Sequence, residues 1–231
     1  MEELKGKLVL ITGAAGNLGR AVASAFHAQG AELLLADYDE AGLSAIPEPG
    51  LRVAVDLTDE SSVQNLAAKA QATTGRIDVL ANIAGGFTMG PMLHETPSRD
   101  WEFMTNLNAR SVFYACKAAV PVMLEQGGGR IINVSARAAR EGKGRMGPYC
   151  ASKAAVIALT ESLASEHKHN NINVNCILPG TIDTPQNRDD MPGADFEQWV
   201  PPAALADVIV FLASDAARCV TGASIPVYGQ S

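Results

Sequence analysis

The chain has 231 residues with 47% hydrophobic content, a formal net charge of −7 and a pI near 5.1. This length and apolar content suit one well-cored α/β domain, and we predict a single domain over residues 1–231. Because lysine and arginine form no run or stripe, nucleic acid and anionic membranes are not expected as partners. The longest apolar runs, such as 208–213, are too short to span a bilayer.

The four cysteines, Cys116, Cys150, Cys176 and Cys219, are scattered along the chain and form no C-x-x-C pair. We interpret them as reduced thiols, mostly buried, and we expect no metal site beside them. The N-terminal residues show no signal-peptide pattern. Together these features predict a cytoplasmic protein.

The first half of the chain alternates between strand-like and helix-like patterns. Four apolar runs of strand length are separated by helical patterns: 7–12, 32–36, 51–56 and 78–82. Gly30 is expected to close the first helix, and Thr58 or Asp59 to cap the helix that runs to about Thr74. Strands that are apolar on both faces, each followed by a helix, predict a doubly wound parallel sheet with helices on both faces.

The second half continues the alternation and brings the predicted sheet to about seven strands. A long helix is expected from about Ser98 to Gln126. The elements predicted after it are a strand at 130–135, a helix from 149 to about 169, a strand at 172–178, a helix at 202–213 and a strand at 224–227. Residues 181–200 have no clear period and are expected to form a substrate loop with at most a short helix.

Two helical segments, 112–122 and 151–159, leave almost no polar face. A helix packed on one face of a sheet normally keeps a solvent-exposed polar stripe. We therefore predict that these helices are buried a second time in a symmetric subunit interface, so that the protein is a homodimer or homotetramer. The alternative is that the 181–200 loop covers them.

A glycine-rich turn, 12–19, joins the first predicted strand to the first predicted helix. Gly13, Gly16 and Gly19 allow a sharp turn and let a pyrophosphate approach the helix N-terminus. Free backbone amides and the helix dipole favour a negative charge at that point. The pattern predicts a dinucleotide-binding site.

Asp37 ends the second predicted strand, 18 residues after Gly19. A carboxylate at this place can accept hydrogen bonds from both ribose hydroxyls of an adenosine, and it would repel a 2′-phosphate. No lysine or arginine stands at 14–17 or at 38 to attract such a phosphate. We therefore expect NAD rather than NADP as the cofactor.

Tyr149 and Lys153 stand four residues apart at the start of a predicted helix. Side chains at this spacing share one helix face, about 6 Å apart along the axis. An ammonium group beside a phenol stabilises the phenolate and would lower its pKa toward neutral pH, which would make the pair an acid/base unit. The alternative is an ordinary tyrosine and lysine on a helix surface.

With the glycine turn and the Tyr149/Lys153 pair in place, the whole chain resembles the short-chain dehydrogenase/reductase family. The resemblance implies hydride transfer between NAD and a small-molecule carbonyl or alcohol substrate, with Tyr149 and Lys153 as the catalytic pair. It implies that Asn108 holds a water in a proton relay behind Lys153. It also places these residues around the cofactor: Asn17, Leu18, Asp56, Leu57, Asn82, Ala84, Gly85, Pro179, Gly180, Ile182 and Thr184.

Two positions depart from the family pattern. The middle glycine of the turn stands one position early, at Gly16, and Asn17 takes the usual place; asparagine tolerates left-handed backbone angles. Ala136 stands where the family has its catalytic serine, and Ser135 precedes it. On a strand, a shift of one residue turns a side chain to the other face. Either the strand end is bulged and Ser135 reaches the substrate, or the active site has no serine.

The missing serine is similar to the pattern of dihydropteridine reductases. Three segments carry that narrower resemblance: 84–86, 136–149 and 183–201. It offers one alternative function, an NADH-dependent dihydropteridine reductase. A nucleotide-binding sensor whose catalysis has lapsed is the other alternative. Five apolar residues in the irregular segments are expected either to line the substrate or simply to pack: Phe87, Met89, Met146, Phe196 and Trp199.

Overall fold

The computed structural model describes residues 4–230. In that range the chain forms one parallel sheet with the strand order β3-β2-β1-β4-β5-β6-β7. The strands are β1 (Leu8–Thr12), β2 (Glu32–Asp37), β3 (Leu51–Ala54), β4 (Val79–Asn82), β5 (Gly129–Val134), β6 (Ile172–Pro179) and β7 (Ser224–Val227). This architecture confirms the predicted fold class.

Helices cover both faces of the sheet. They are α1 (Asn17–Ala28), α2 (Glu40–Ser44), α3 (Glu60–Thr74), α4 (Ser98–Thr105), α5 (Ser111–Glu125), α6 (Gly147–His167), α7 (Pro185–Asp190) and α8 (Pro202–Ala213). Alternate residues of β1 enter two cores: Val9 and Ile11 pack with α1 and α8, whereas Leu8 and Leu10 pack with α3 and α5. This period of two explains why the strands are apolar without a break.

The strand order reverses beside β1, which pairs with β2 on one side and with β4 on the other. Successive crossovers diverge at this point, so the carboxyl ends of β1 and β4 open a crevice between the loops that follow them. Ligands of doubly wound sheets bind in such a crevice. The glycine turn follows β1 and the 83–86 turn follows β4, so both line this edge of the sheet.

Several boundaries differ from the sequence prediction. The predicted long helix is interrupted by a π-helical turn at Asn106–Arg110, which separates α4 from α5. The 181–200 segment contains α7 and a 3₁₀ turn at Phe196–Gln198. Strand β3 ends two residues early, and α6 ends at His167. Residues 1–3 and 231 of the predicted domain lie outside the described residues.

Local capping follows the expected chemistry. Asp59 caps α3 by accepting a hydrogen bond from the Ser62 amide, and Gly30 follows α1 with a φ of +80°. A left-handed φ there suits glycine, which has no Cβ to clash. Among the helices of residues 4–230, none combines the length and apolar character needed to cross a bilayer.

Candidate active site

The glycine turn packs so tightly that two of its positions have no space for a Cβ atom. At Gly13, whose φ is +67°, a Cβ would lie 2.6 Å from the Ala84 amide nitrogen. At Gly19 it would overlap the Gly13 carbonyl oxygen and lie 2.7 Å from the Cα of Ala14. Gly16 is the N-cap of α1 and offers no side chain, which leaves the first helical amides to a ligand anion.

Asn17 and Leu18 form the start of α1 itself. Asn17 is the first helical residue and does not have a positive φ, so the left-handed angle that we expected for it is not needed. The displaced glycine instead serves as the N-cap, with extended backbone angles of −72° and 167°. Leu18 is buried in the core shared with α8, which fixes the helix beneath the turn.

Asp37 is buried at the end of β2, and its carboxylate is held by two backbone amides. One oxygen accepts from Ala15 at 3.0 Å and the other from Asp39 at 3.1 Å. A carboxylate has about four acceptor sites, so it can still accept from ribose hydroxyls. The carboxylate therefore lies directly against the glycine turn, where the sequence predicted an adenosine ribose.

Arg20, which is not among the predicted site residues, also reaches this turn. Arg20 donates to the carbonyl of Ala15 and to that of Gly42 in α2, each at 2.9 Å. Gly42 lies so close to the turn that a Cβ would come within 2.8 Å of the Ala15 side chain. Arg20 thus ties α2 to the glycine turn. The signal in the sequence was an arginine directly after Gly19, the last glycine of the turn.

Lys153 is buried on α6, and its ammonium donates to the Val134 carbonyl oxygen at 3.0 Å. Burial lowers the pKa of Lys153 to about 8. The Tyr149 ring makes an edge-to-face contact with Phe87, with ring centroids 5.0 Å apart. Burial, with a smaller contribution from Cys150, raises the pKa of Tyr149 to about 12. The lowered tyrosine pKa predicted from the spacing is therefore wrong for this structure, because desolvation outweighs any stabilisation of the phenolate.

The lysine shift predicts a pH-dependent stability. The native pKa of Lys153 lies below its ordinary 10.5, so the unfolded chain binds more protons between these values and stability rises with pH there. Between pH 7.5 and 9.5 the free energy of unfolding should rise by about 2 kcal/mol relative to Lys153→Met. Urea unfolding of both proteins at the two pH values measures this difference. A difference that does not change with pH would contradict it.

Asn108 lies in the π-helical turn and is fully buried. Its side chain accepts from the Gly86 amide at 2.9 Å and donates to the Gly86 carbonyl at 3.1 Å. It also lies 3.1 Å from the Ser152 hydroxyl, which donates to the Tyr149 carbonyl. Asn108 therefore connects the turn after β4 to the start of α6. The extra residue of a π turn is a common way to point one side chain inward at a functional site.

Gly85 lies against the side chains of Asn108 and Lys153. A Cβ there would come within 2.8 Å of the Asn108 carbonyl oxygen and 2.9 Å of the Lys153 ammonium nitrogen. The two groups therefore converge beneath one glycine, and this concave surface would be filled by any larger residue. Ser152 was missed in the sequence, although a polar residue within the apolar 151–159 segment was a usable signal.

Ser135 does not reach the substrate side. It is buried, its amide pairs with Ile177 of β6, and its hydroxyl donates to the Lys153 carbonyl at 2.7 Å. The expected substrate contact of Ser135 is therefore corrected: without a bulge, the one-residue shift turns its side chain toward α6. Ala136 takes the family's serine position and is buried with only a methyl group.

The other predicted cofactor residues lie in the loops after the strands. Asn82 donates to the Asn133 side chain at 2.9 Å, and the Ala84 amide donates to the Thr12 hydroxyl at 3.4 Å. The exposed Asp56 binds the Thr58 amide, whereas Leu57 is buried among the side chains packed on α3. These residues shape the crevice mainly through backbone and core contacts.

The segment after β6 leads from the sheet into α7. Gly180 follows Pro179, and its amide donates to the Val227 carbonyl. Ile182 forms an isolated parallel β-bridge with Val200 at the other end of the segment. Thr184 is the N-cap of α7. In this way the backbone from β6 to α7 is held close to the last strand.

Four of the five candidate wall residues separate into two groups, and the fifth, Met146, is the partly buried N-cap of α6. Phe87, half-exposed and in contact with Tyr149, is well placed to meet a substrate, and Met89 is exposed in the same segment. Trp199 is buried and its ring centroid lies 4.8 Å from that of Phe196, which indicates packing. Within residues 4–230, no three histidine, cysteine, aspartate or glutamate side chains come together as a metal-ligand set.

Comparisons with known proteins agree with this geometry. The family model described as short chain dehydrogenase matches residues 7–194. Dehydrogenase/reductase SDR family member 6 of Rattus norvegicus is 37% identical, over 99% of this chain and 98% of that protein. The 3-oxoacyl-(acyl-carrier-protein) reductase FabG of Thermotoga maritima is 35% identical over 98% of each.

A solved structure extends the agreement to three dimensions. The crystal structure of NAD+-bound xylitol dehydrogenase has a TM-score of 0.90 and 27% identity, over 98% of this chain and 99% of that chain. The similarity thus covers the glycine turn, the Tyr149/Lys153 helix and the whole sheet. The chain belongs to the short-chain dehydrogenase/reductase family of oxidoreductases, which act on small carbonyl and alcohol substrates.

Proposed function

We propose that the protein transfers a hydride between NAD(H) and a small carbonyl or alcohol substrate, with Tyr149 exchanging the proton. One observation carries this proposal: Gly85, Asn108 and Lys153 converge beside the start of the Tyr149 helix, at the carboxyl edge of the sheet. The cofactor supplies the hydride, and the protein supplies orientation and the proton. The uncapped first turn of α1 and the concave surface at Gly85 both suit a dinucleotide.

Tyr149 is proposed to protonate the substrate oxygen during reduction. Its raised pKa keeps the phenol protonated at neutral pH, which is the form that a proton donor needs. An alkoxide is a much stronger base than a phenolate, so transfer to the developing alkoxide is favourable. In the direction of reduction, the raised pKa of Tyr149 therefore favours its role as proton donor.

Lys153 and Asn108 are proposed to support that proton transfer. The Lys153 ammonium would hold the nicotinamide ribose and steady the charge of Tyr149 when the proton leaves. Asn108 would hold a water in the relay behind Lys153, in keeping with the family resemblance. The remaining predicted contacts, from the glycine turn to Thr184, are proposed to surround the cofactor.

NAD is proposed over NADP because of the charge and packing beside the glycine turn. The Asp37 carboxylate would accept hydrogen bonds from the ribose hydroxyls and would repel a 2′-phosphate. Arg20 is already bound to three carbonyls, those of Ala15, Gly42 and Ala45. The similarity to an NAD+-bound xylitol dehydrogenase supports the same choice.

Asp37→Asn tests the cofactor preference. The substitution keeps the shape and removes the charge, so we expect the ratio of kcat/KM for NADH over NADPH to fall about tenfold. Steady-state kinetics with both cofactors measure it. Asp39→Asn is the matched control, because that exposed neighbour caps α2 and should leave the ratio unchanged. An unchanged ratio in Asp37→Asn would mean that this carboxylate does not select the cofactor.

A substrate panel tests the activity itself. Ketones, aldehydes and their alcohols are assayed with NADH or NAD, and oxidation or formation of NADH is followed. Turnover of at least one carbonyl or alcohol class is expected. NADH binding without any turnover would favour the alternative of a lapsed sensor.

The narrower alternative is an NADH-dependent dihydropteridine reductase. The specific observation in its favour is Ala136, which leaves no serine hydroxyl at the family position, while Ser135 is bound to Lys153. The comparisons identify the family and not this group. A quinonoid dihydropterin in the same panel decides the matter, because turnover well above that of simple ketones would support the narrower function.

We also infer that the protein works as a symmetric homo-oligomer, either a dimer or a tetramer. We further propose that residues 1–231 form one domain and that the protein is cytoplasmic. The 181–200 segment leaves apolar side chains of α5 and α6 exposed, among them Phe113, Ala151 and Ala158. Exposed apolar area on neighbouring helices is typical of a subunit contact.

Light scattering on the wild type and on Ala158→Asp tests the oligomer. A charge in a buried apolar contact is costly, so the variant should dissociate at concentrations where the wild type is a dimer or tetramer. Ala72→Asp, on the exposed side of α3, is the control and should not change the mass. A monomeric wild type would contradict the inferred assembly.

A further inference from the structure

Ser135 and its neighbour Val134 each form a hydrogen bond with Lys153, one to its backbone carbonyl and the other to its side-chain ammonium. The Ser135 hydroxyl donates to the Lys153 carbonyl at 2.7 Å, and the Lys153 ammonium donates to the Val134 carbonyl at 3.0 Å. The lysine carbonyl lies within α6 and can accept a second hydrogen bond, because a carbonyl oxygen has two lone pairs. Val134, the last residue of β5, and Ser135 directly after it thus fix the side chain and the backbone of one lysine.

A second hydrogen bond joins β5 to α6. Asn133, two residues before Ser135 and therefore on the same side of the strand, donates to the Thr160 hydroxyl at 2.9 Å. Thr160 in turn donates to the carbonyl of Val156 in α6. The helix is therefore attached to the strand at two points seven residues, or about two turns, apart. Two such contacts fix the rotation of α6 about its own axis as well as its distance from β5.

We propose that Ser135 is a positioning residue that sets the place of Lys153 relative to the cofactor and to Tyr149. This inference rests on the proposed function, because it assigns Ser135 to the site through Lys153. Ser135, Val134 and Lys153 are all buried residues and both hydrogen bonds are buried, so water does not offer a replacement donor when the hydroxyl is removed. The family serine at the next position would act on the substrate, whereas Ser135 acts on the helix.

The test compares Ser135→Ala with a control of the same chemistry. Ser214→Ala removes another buried hydroxyl, which donates to the helix carbonyl of Phe211 at 2.8 Å, at the end of α8. The two serines are 2% and 4% exposed. Each substitution deletes one hydrogen bond from a serine hydroxyl to a helix carbonyl, a buried one at Ser135 and a partly buried one at Ser214. Thermal unfolding, NADH binding by fluorescence and the pH profile of kcat/KM are measured for both.

Ser135→Ala is expected to weaken NADH binding roughly three- to tenfold and to move the pH profile by about half a unit, in line with the loss of one hydrogen bond. Ser214→Ala should lower thermal stability without either change. Ser135→Thr keeps the hydroxyl and should restore NADH binding; if it does not fold, the alanine data decide. NADH binding requires no turnover, so a failure of the proposed reaction is distinguishable from a failure of this inference.

Two results would overturn the proposal. If Ser135→Ala loses stability as Ser214→Ala does but keeps NADH binding and the pH profile, Ser135 is only structural. If kcat falls while NADH binding and the pH profile stay the same, the hydroxyl acts at the substrate and not through Lys153.

Discussion

Tyr149→Phe should reduce turnover of any accepted substrate by about 100-fold or more, while NADH binding remains within about twofold of the wild type. The substitution removes only the phenolic hydroxyl, and general acid catalysis by a positioned group contributes roughly 10²- to 10⁴-fold. The ring itself, with its edge-to-face contact to Phe87, is kept. Steady-state kinetics and NADH fluorescence measure the two effects separately.

The matched control for that experiment is Tyr114→Phe. Tyr114 lies on α5 and packs beside Phe113, with ring centroids 5.7 Å apart. Removal of its hydroxyl should leave kcat unchanged. If Tyr149→Phe binds NADH and turns over substrate at the full rate, Tyr149 is not the proton donor and the proposed mechanism is wrong.

Gly19→Ala should have the second large effect, through the cofactor site rather than the chemistry. The added Cβ would overlap the Gly13 carbonyl oxygen and press on the Ala14 backbone, neither of which can move aside as a flexible side chain can. Overpacking of this kind costs about 1–3 kcal/mol and would push the turn away from α1. We expect the Kd for NADH to rise roughly 30-fold or more.

Gly142→Ala is the control for the glycine substitution. No atom lies within 4 Å of a Cβ placed at Gly142, so stability and NADH binding should stay the same. Urea unfolding and NADH titration of both variants are compared. If Gly19→Ala binds NADH as tightly as the wild type, the close packing of the turn is not needed for the cofactor.

Much of the fold follows from local pattern. Continuous apolar strands separated by helical periods predicted the parallel sheet, and the last helix and strand were predicted with the bounds that the structure has. Asp59 and Gly30 act at helix ends for reasons that lie within one turn of chain. Such features are predictable because the atoms that decide them are close in sequence.

The interruption at Asn106–Arg110 could not be predicted in this way. Its backbone conformation depends on what Asn108 meets, namely Gly86 and Ser152, which lie 22 and 44 residues away in the chain. The same holds for the contact of Arg20 with α2. Local helix propensity cannot reveal a partner that only the folded chain supplies.

The amino-acid sequence by itself determined the fold class, the glycine turn at the first strand, the carboxylate at Asp37 and the Tyr149/Lys153 pair. Each of these depends on residue type and spacing within a short stretch. The tertiary structure decided the direction in which Ser135 points and the sign of the Tyr149 pKa shift. Hydrogen-bond partners and desolvation depend on the groups that surround a side chain in the folded protein, and spacing along the chain does not contain that information.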